Sequence, residues 1–135
     1  MYQLKIGNKI INKNSSIFII AEAGVNHNGS LIMGKKLIDA AVKAKADAVK
    51  FQTFKADNII VPEGPKAQYH IETTGSDKTL SWFNLLKSQE ISKKMHIELI
   101  NYCRKKKIIF LSTPYDNDSA LLLNKLNIKA FKVAS

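Results

Sequence analysis

The stretch Phe18-Ile19-Ile20-Ala21-Glu22-Ala23-Gly24-Val25-Asn26-His27-Asn28-Gly29 is an apolar run that passes directly into a polar, glycine-bearing loop. It predicts a buried strand over residues 17–22 that ends in a carboxylate, with Asn26, His27 and Asn28 in the loop that follows. The design recurs twice. Ala48-Val49-Lys50-Phe51-Gln52-Thr53 is an apolar strand carrying one lysine, and Ile108-Ile109-Phe110-Leu111-Ser112-Thr113-Pro114 is one that ends in two hydroxyls. Strand ends that gather a carboxylate, an ammonium and hydroxyls suit a phosphorylated, oxygen-rich small molecule.

Between these strands the apolar spacing changes to that of helices. Ser30 is placed to cap a helix from Leu31 to Lys45, with Leu31, Leu37, Ile38, Ala41 and Val42 on one face. Ser92 caps a second helix, running to about Lys106, with Met95, Ile97, Leu99, Ile100 and Cys103 inward. Asp116 caps a third, with Ala120, Leu121, Leu123 and Leu126 on its apolar side. Residues 129–134 start a further strand. Ahead of all this, Leu4, Ile6, Ile10 and Asn12 keep phase around Gly7-Asn8, the pattern of a short β-hairpin within residues 1–15.

Strands alternating with helices imply an α/β fold with parallel strands. Continuous apolar strands fit a sheet covered on both faces. No Gly-x-Gly-x-x-Gly follows the first strand and no phosphate-binding Gly-x-x-x-x-Gly-Lys-Ser/Thr occurs, which weighs against nucleotide folds. Polar residues collected after the strands favour a (β/α)8 TIM barrel, whose chemistry lies on that face. A complete barrel needs roughly 250 residues, whereas this chain has 135. The expectation is therefore the first half of a barrel, about four βα units over residues 16–135, truncated at the fourth strand. The segment Phe54–Ser88 is expected as a long loop over the mouth, either a lid or a solvated loop with Trp82 and Phe83 on the rim.

The composition narrows the partners. A net charge of +10 invites a nucleic-acid reading, but only one of 21 basic residues is an arginine, Arg104. Phosphate and base recognition favours arginine's rigid fork. The run Arg104-Lys105-Lys106-Lys107 is read instead as offsetting the negative end of a helix. No apolar run approaches the roughly 18 residues of a membrane span, and the N-terminus lacks a signal-peptide core, so a cytoplasmic protein is expected. The single cysteine, Cys103, excludes an intrachain disulfide and reads as packing. His27 reads as a loop-shaping or substrate-contacting residue, and His70 and His96 as surface or packing residues.

Four of these segments, in order, resemble the sialic acid synthase family, whose members include the N-acetylneuraminate, legionaminate and pseudaminate synthases. They are Phe18–Gly29, Val49-Lys50-Phe51-Gln52-Thr53, Leu111-Ser112-Thr113-Pro114-Tyr115 and Phe131-Lys132-Val133-Ala134-Ser135. The stretch Ala48–Ala56 is closer to the N-acetylneuraminate and legionaminate branch. The resemblance implies a barrel enzyme, a transferase that condenses phosphoenolpyruvate with an N-acetylated hexose. The acceptor would be N-acetylmannosamine or a 6-deoxy diacetamido analogue. The products would be a nine-carbon 2-keto sugar acid and phosphate. It further implies a divalent metal (Mn2+ or Mg2+) with ligands in the missing C-terminal part, no metal ligand in this chain, and a homodimer for the full-length protein. No nucleic acid or membrane partner is implied.

Carried over residue by residue, Lys50, Lys132, Thr113 and Ser135 match positions that bind phosphoenolpyruvate. Glu22, Asn26 and Gln52 fall where the sugar is contacted, and Glu22, Lys50 and Lys132 are the expected catalytic residues. A lysine in an apolar strand needs an anionic partner, and general acid–base work needs a carboxylate in reach of the reacting group. The chain departs from the family at Lys45, where a helix-ending glycine is usual, so a different cap is expected there. The Gly-Glu that normally follows the serine lies beyond Ser135, and the fragment alone is expected to be inactive. Two other readings stand beside this one: another phosphoenolpyruvate- or aldehyde-condensing barrel, and a basic nucleic-acid-binding domain.

Overall fold

The structure, a computed structural model, describes residues 2–61 and 82–135. In chain order the elements are β1 (Leu4–Ile6), β2 (Lys9–Ile11), β3 (Ile20–Gly24), α1 (Leu31–Lys43), β4 (Ala48–Thr53), α2 (Ala56–Ile59), α3 (Trp82–Ser88), α4 (Lys93–Lys106), β5 (Ile109–Pro114) and α5 (Asn117–Lys125). β1 and β2 pair antiparallel across Gly7-Asn8, and β3, β4 and β5 form a parallel sheet in that order.

The helices begin where their caps are. Ser30 Oγ accepts from the Met33 N–H at 3.2 Å, Ser92 Oγ from the Met95 N–H at 3.1 Å and Asp116 Oδ1 from the Ser119 N–H at 2.8 Å. Each bond satisfies a donor that the first helical turn leaves open. α1 and α4 lie close because Gly34 has no side chain. A Cβ there would stand 2.9 Å from Leu99 Cδ2.

The sheet has two unlike faces, because successive strand residues point to opposite sides. Val49, Phe51 and Phe110 turn to the helices and pack with Ile38, Ala41, Leu99, Cys103 and Leu123 in the main core. Ala48 and Leu111 turn the other way and meet Ile6 of the β1–β2 pair, with Phe18 and Ala130 beside them. The hairpin thus closes the N-terminal end of this second face. Lys9 holds it there through a 2.8 Å ion pair to Asp47, whose carboxylate also accepts from the Ile19 N–H.

Several expectations are corrected. The first sheet strand is Ile20–Gly24, so Glu22 lies at its centre rather than its end. Residues 129–134 do not form a strand. They make one parallel bridge, Ser112 to Phe131, and one bond, Lys132 N–H to Ser112 O at 3.3 Å. Among the described residues nothing pairs on their outer side, and a segment held along one edge by so few bonds does not extend a ladder. Helix phase also differs. Ile97 and Leu121 face solvent, and His96 occupies the inward position beside Met95. The segment 54–88 is not all loop, since it contains α2 and α3. The expected lid and His70 fall largely or wholly on residues 62–81, outside the described residues. Lys45 needs no new kind of cap. It takes the left-handed conformation at φ 59°, and the Ala46 N–H still bonds Ala41 O at 3.1 Å, so a lysine occupies the glycine geometry.

Candidate active site

The second face of the sheet opens toward the carboxyl ends of the strands, and there the strand residues change from apolar to polar. Register sets Glu22 beside Lys50 and Lys50 beside Leu111, then Gln52 beside Thr113. Partners in a parallel ladder share a face, so Glu22, Lys50, Gln52 and Thr113 all project from this one. Glu22 Oε2 and Lys50 Nζ form an ion pair. The lysine side chain is largely buried, 14% exposed, while that of Glu22 is 52% exposed. The anion that a strand lysine requires is thus supplied by the neighbouring strand, on a carboxylate that reaches water and can exchange for another anion.

The β3 register shifts between Glu22 and Gly24. Gly24 sits at φ 54°, and a Cβ on it would lie 3.5 Å from Glu22 Oε1 and 3.9 Å from Gln52 Nε2. The irregularity and the missing side chain leave the Glu22 carboxylate and the Gln52 amide facing one space. Thr113 completes the group. Its residue is 2% exposed, and its Oγ1 is buried with no hydrogen-bond partner among the described residues. A buried hydroxyl without a partner costs about 1–3 kcal/mol, and here it stands beside a lysine and an amide that can orient on the same ligand.

The remaining expected residues are placed less closely. Asn26 is exposed in the β3–α1 loop, where its N–H bonds Ala23 O at 3.1 Å. Lys132 and Ser135 are exposed along the edge beside β5. By alternation from the Phe131 bridge, Lys132 lies on the same face as Thr113. The structure therefore brings Glu22, Lys50, Gln52 and Thr113 together and leaves Lys132, Ser135 and Asn26 around them.

His27 shapes the loop. It is fully buried, and Nδ1 accepts from the Gly29 N–H at 3.0 Å. Burial pushes its pKa down, so the ring is neutral with its proton on Nε2. The ring lies against Phe51 on the helix side of the sheet, at 6.0 Å between centroids, away from the polar face. Gly29, at φ 71°, passes so close to the end of α3 that a Cβ would sit 2.3 Å from Ser88 O.

Two carboxylates tie the loops around the mouth. Asp116 Oδ2 accepts from the Lys55 N–H at 2.9 Å, and Glu90 Oε1 accepts from the Ala56 N–H at 2.9 Å while Lys55 Nζ holds Oε2 at 3.0 Å. Burial pushes the Glu90 carboxyl up, but the Ala56 amide and the Lys55 and Lys87 ammonium groups outweigh it and keep it below the usual carboxylate range. Sequence reasoning did not single out Glu90 or Asp116 as the fasteners of this rim. Asp116 closely follows the polar end of β5, a signal the sequence carries, whereas Glu90 lies in the turn between α3 and α4 and had none. Among the described residues no group of three or more His, Cys, Asp or Glu is placed to hold a metal ion. Of the two described histidines, His96 spends both ring nitrogens on Ser92 O and Thr53 Oγ1, while His27 Nε2 is buried with no partner among the described residues.

A sequence model of the NeuB family matches residues 37–135. The chain is 50% identical over 117 residues to the N,N'-diacetyllegionaminic acid synthase of Campylobacter jejuni, covering 87% of this chain and 34% of that protein. It is 44% identical over 135 residues to the spore coat polysaccharide biosynthesis protein SpsE of Bacillus subtilis, covering 35% of that protein. The crystal structure of the N-acetylneuraminic acid synthetase of Leptospira borgpetersenii, in complex with citrate, superposes with a TM-score of 0.76 at 33% identity, over 98% of this chain and 41% of that one. The chain thus spans about a third of the length of the curated relatives it matches.

Proposed function

The chain belongs to the NeuB family, and from that premise we propose that its strand ends form the phosphoenolpyruvate-binding half of a sialic-acid-type synthase. The observation that carries the reading is the Lys50–Glu22 pair, set beside Gln52 and the unpartnered Thr113 hydroxyl on one open face. Phosphoenolpyruvate carries a phosphate and a carboxylate. Either can displace the water-reaching Glu22 carboxylate from Lys50 and take the Thr113 O–H as a donor. Lys132 and Ser135 join from the adjacent edge. A fixed ammonium and hydroxyl where charge builds are what this chemistry demands.

In the proposed reaction C3 of phosphoenolpyruvate forms a bond to the aldehyde carbon of an N-acetylated hexose. The aldehyde oxygen takes a proton and becomes a hydroxyl. Water adds to C2, and the C–O bond to phosphate breaks, leaving a 2-keto acid of nine carbons and inorganic phosphate. Glu22, released from Lys50 by the incoming anion, faces the sugar with Gln52 and Asn26 and is placed to hold or deliver that proton. Lys50 and Lys132 hold negative charge throughout. A divalent cation, Mn2+ or Mg2+, would polarise the aldehyde. Its ligands would come from outside these residues, and no step above is derived through it.

The same reading places these 135 residues as the first part of a (β/α)8 barrel in a longer, dimeric, cytoplasmic enzyme, with the fragment alone inactive. Its 50% identity to a legionaminate synthase supports a 6-deoxy diacetamido sugar as acceptor, with N-acetylmannosamine the alternative. The test is phosphate release from phosphoenolpyruvate by the protein carrying this segment at full length. Manganese is present, each sugar is offered separately, and Lys50→Ala is the control. Release that depends on one sugar and disappears in the variant supports the reading and names the acceptor. A folded protein that releases phosphate with neither sugar overturns it for these acceptors.

A further inference from the structure

At the end of the strands opposite the candidate active site, a cleft of about 790 Å3 lies between the Gly7-Asn8 turn, the last turn of α4, the start of β5 and the link that follows α5. Its floor is apolar, formed by Ile100, Cys103, Ile108 and Phe110. Burial pushes the Cys103 thiol up to about 12, so the floor carries no charge. The rim is cationic. Lys5, Arg104, Lys107 and Lys129 line it, and among the described residues no aspartate or glutamate does.

These cations are more than the fold uses. The end of a helix presents about half a negative charge, and the run Arg104–Lys107 brings four positive ones. Lys106 is engaged by Asp39 at 2.7 Å and lies over the Tyr102 ring. Among the described residues Arg104 reaches the Asn101 side chain alone, at 3.3 Å, and no carboxylate pairs with Lys5, Lys107 or Lys129. Lys5 and Lys129 come from two further segments, and the Lys129 stem packs 3.7 Å from where a Gly7 Cβ would stand. Three separate parts of the chain therefore aim unneutralised cations at one apolar recess. The volume is that of a small-molecule site. A flat polyanion such as nucleic acid would leave the recessed floor unfilled, and a simple inorganic anion would make no use of it.

We propose that this cleft is a second binding site, separate from the strand-end site, for a small anion that carries an apolar ring or chain. The apolar part rests on Ile100, Cys103 and Phe110, and the anionic head is held by Lys5, Arg104, Lys107 and Lys129.

The test titrates the full-length protein that carries this segment with 8-anilinonaphthalene-1-sulfonate, whose rings and sulfonate match that division, and follows both fluorescence and amide chemical shifts. One saturable site is expected, with shifts centred on Cys103 and Ile128. The double variant Lys5→Glu, Lys129→Glu should weaken it at least about tenfold, as expected for losing charge-assisted contacts. Lys93→Glu with Lys94→Glu, which changes net charge equally at the far end of α4, should leave affinity within about twofold. Circular dichroism checks that both variants fold. Phosphoenolpyruvate should not compete, and sulfate should compete only far more weakly. The proposal is overturned if the first double variant binds as well as the parent. It is equally overturned if the shifts fall on Ile17–Ile20, the exposed sheet edge, or if sulfate competes as strongly as the probe binds.

Discussion

Ser112 and Thr113 are consecutive hydroxyl residues on one strand, both buried, and their surroundings are opposite. Ser112 turns to the helices. There His96 Nδ1–H donates to Ser92 O at 3.0 Å, which leaves Nε2 of the neutral ring to accept from Thr53 Oγ1 at 2.9 Å, and Thr53 accepts in turn from Ser112 Oγ at 2.7 Å. Every member of that chain has a partner. Thr113 turns to the other face, beside Gln52 and the Glu22–Lys50 pair, and its Oγ1 has none among the described residues. Polar groups sealed under a helix must satisfy one another. Under the proposed function, a group left unsatisfied at a strand end is the one that a ligand satisfies. The Ser112 network is satisfied within the fold, although His27 Nε2 on the same side of the sheet is buried without a partner among the described residues; the proposed function gives the unpartnered Thr113 hydroxyl on the other face to a ligand. Substitutions on each face test whether that division holds.

The largest effect is expected at Lys50. If the proposed function holds, removing a fixed cation from a site where charge builds costs about 100- to 1,000-fold in turnover, so Lys50→Ala in the full-length protein should lower kcat/KM for phosphoenolpyruvate by that order. Its partner Glu22 is half exposed, so the fold should lose no more than about 1 kcal/mol. Urea unfolding of the same variant measures the second quantity. A stability loss as large as the catalytic one would place Lys50 with the structural face and break the comparison.

On the helix face the opposite split is expected. Thr53→Val keeps the shape but leaves His96 Nε2 without a donor and Ser112 Oγ without its acceptor, both fully buried. Two unsatisfied groups at about 1–3 kcal/mol each give an expected destabilisation of about 3 kcal/mol by urea unfolding. Phosphoenolpyruvate binding by the protein that still folds should be unchanged.

His96 makes the same face sensitive to acid. Burial is the main cause that lowers its pKa from 6.5 to about 4. Between those values the unfolded chain binds the proton and the folded one does not, so stability rises with pH across that window. The contribution is complete above pH 6.5 and is lost as pH falls toward 4, by about 2 kcal/mol at pH 5. His96→Gln should flatten this part of the pH profile of unfolding. A profile as steep as the parent's would remove His96 as its source.

The sequence made the scaffold legible where one residue settles one local question. Ser30, Ser92 and Asp116 are good caps in any setting, and each caps its helix here. The apolar runs around Lys50 and Leu111 are strands because their lengths and flanks allow little else. What was not legible depends on partners distant in sequence. Whether residues 129–134 pair as a strand is decided by what lies on both sides of them. That Lys50 would meet Glu22 depends on the register of β3 against β4, which a strand pattern leaves free. His96 and Ile97 differ by 100° around a helix, and the greater hydrophobicity of isoleucine points the wrong way. The Ser92 carbonyl and the Thr53 hydroxyl, itself held by Ser112, make a buried histidine stable at that position. The carboxylates Glu90 and Asp116 acquire their role as fasteners from loops that the sequence does not bring together.

The smallest expected change in stability is at Thr113, and it is the sharpest test of the comparison because it lies one residue from Ser112. Thr113→Val removes a hydroxyl that bonds nothing among the described residues and replaces it with a methyl of nearly the same shape. With no partner to strand and one buried polar group fewer, unfolding free energy should stay within about 0.5 kcal/mol of the parent or rise slightly. Anion binding should show the loss instead. A hydrogen bond to a charged ligand is worth about 1.5–3 kcal/mol, so phosphoenolpyruvate affinity should fall by about tenfold or more in calorimetry on the full-length protein. Ser112→Ala should give the mirror result, a loss of stability with affinity retained. Two neighbouring hydroxyls of nearly equal burial would then differ in function because strand alternation sends one under a helix and the other to the open end of the sheet. If Thr113→Val instead destabilises the fold as much as Ser112→Ala, the hydroxyl is structural and the ligand-facing role passes to Lys50 and Gln52 alone.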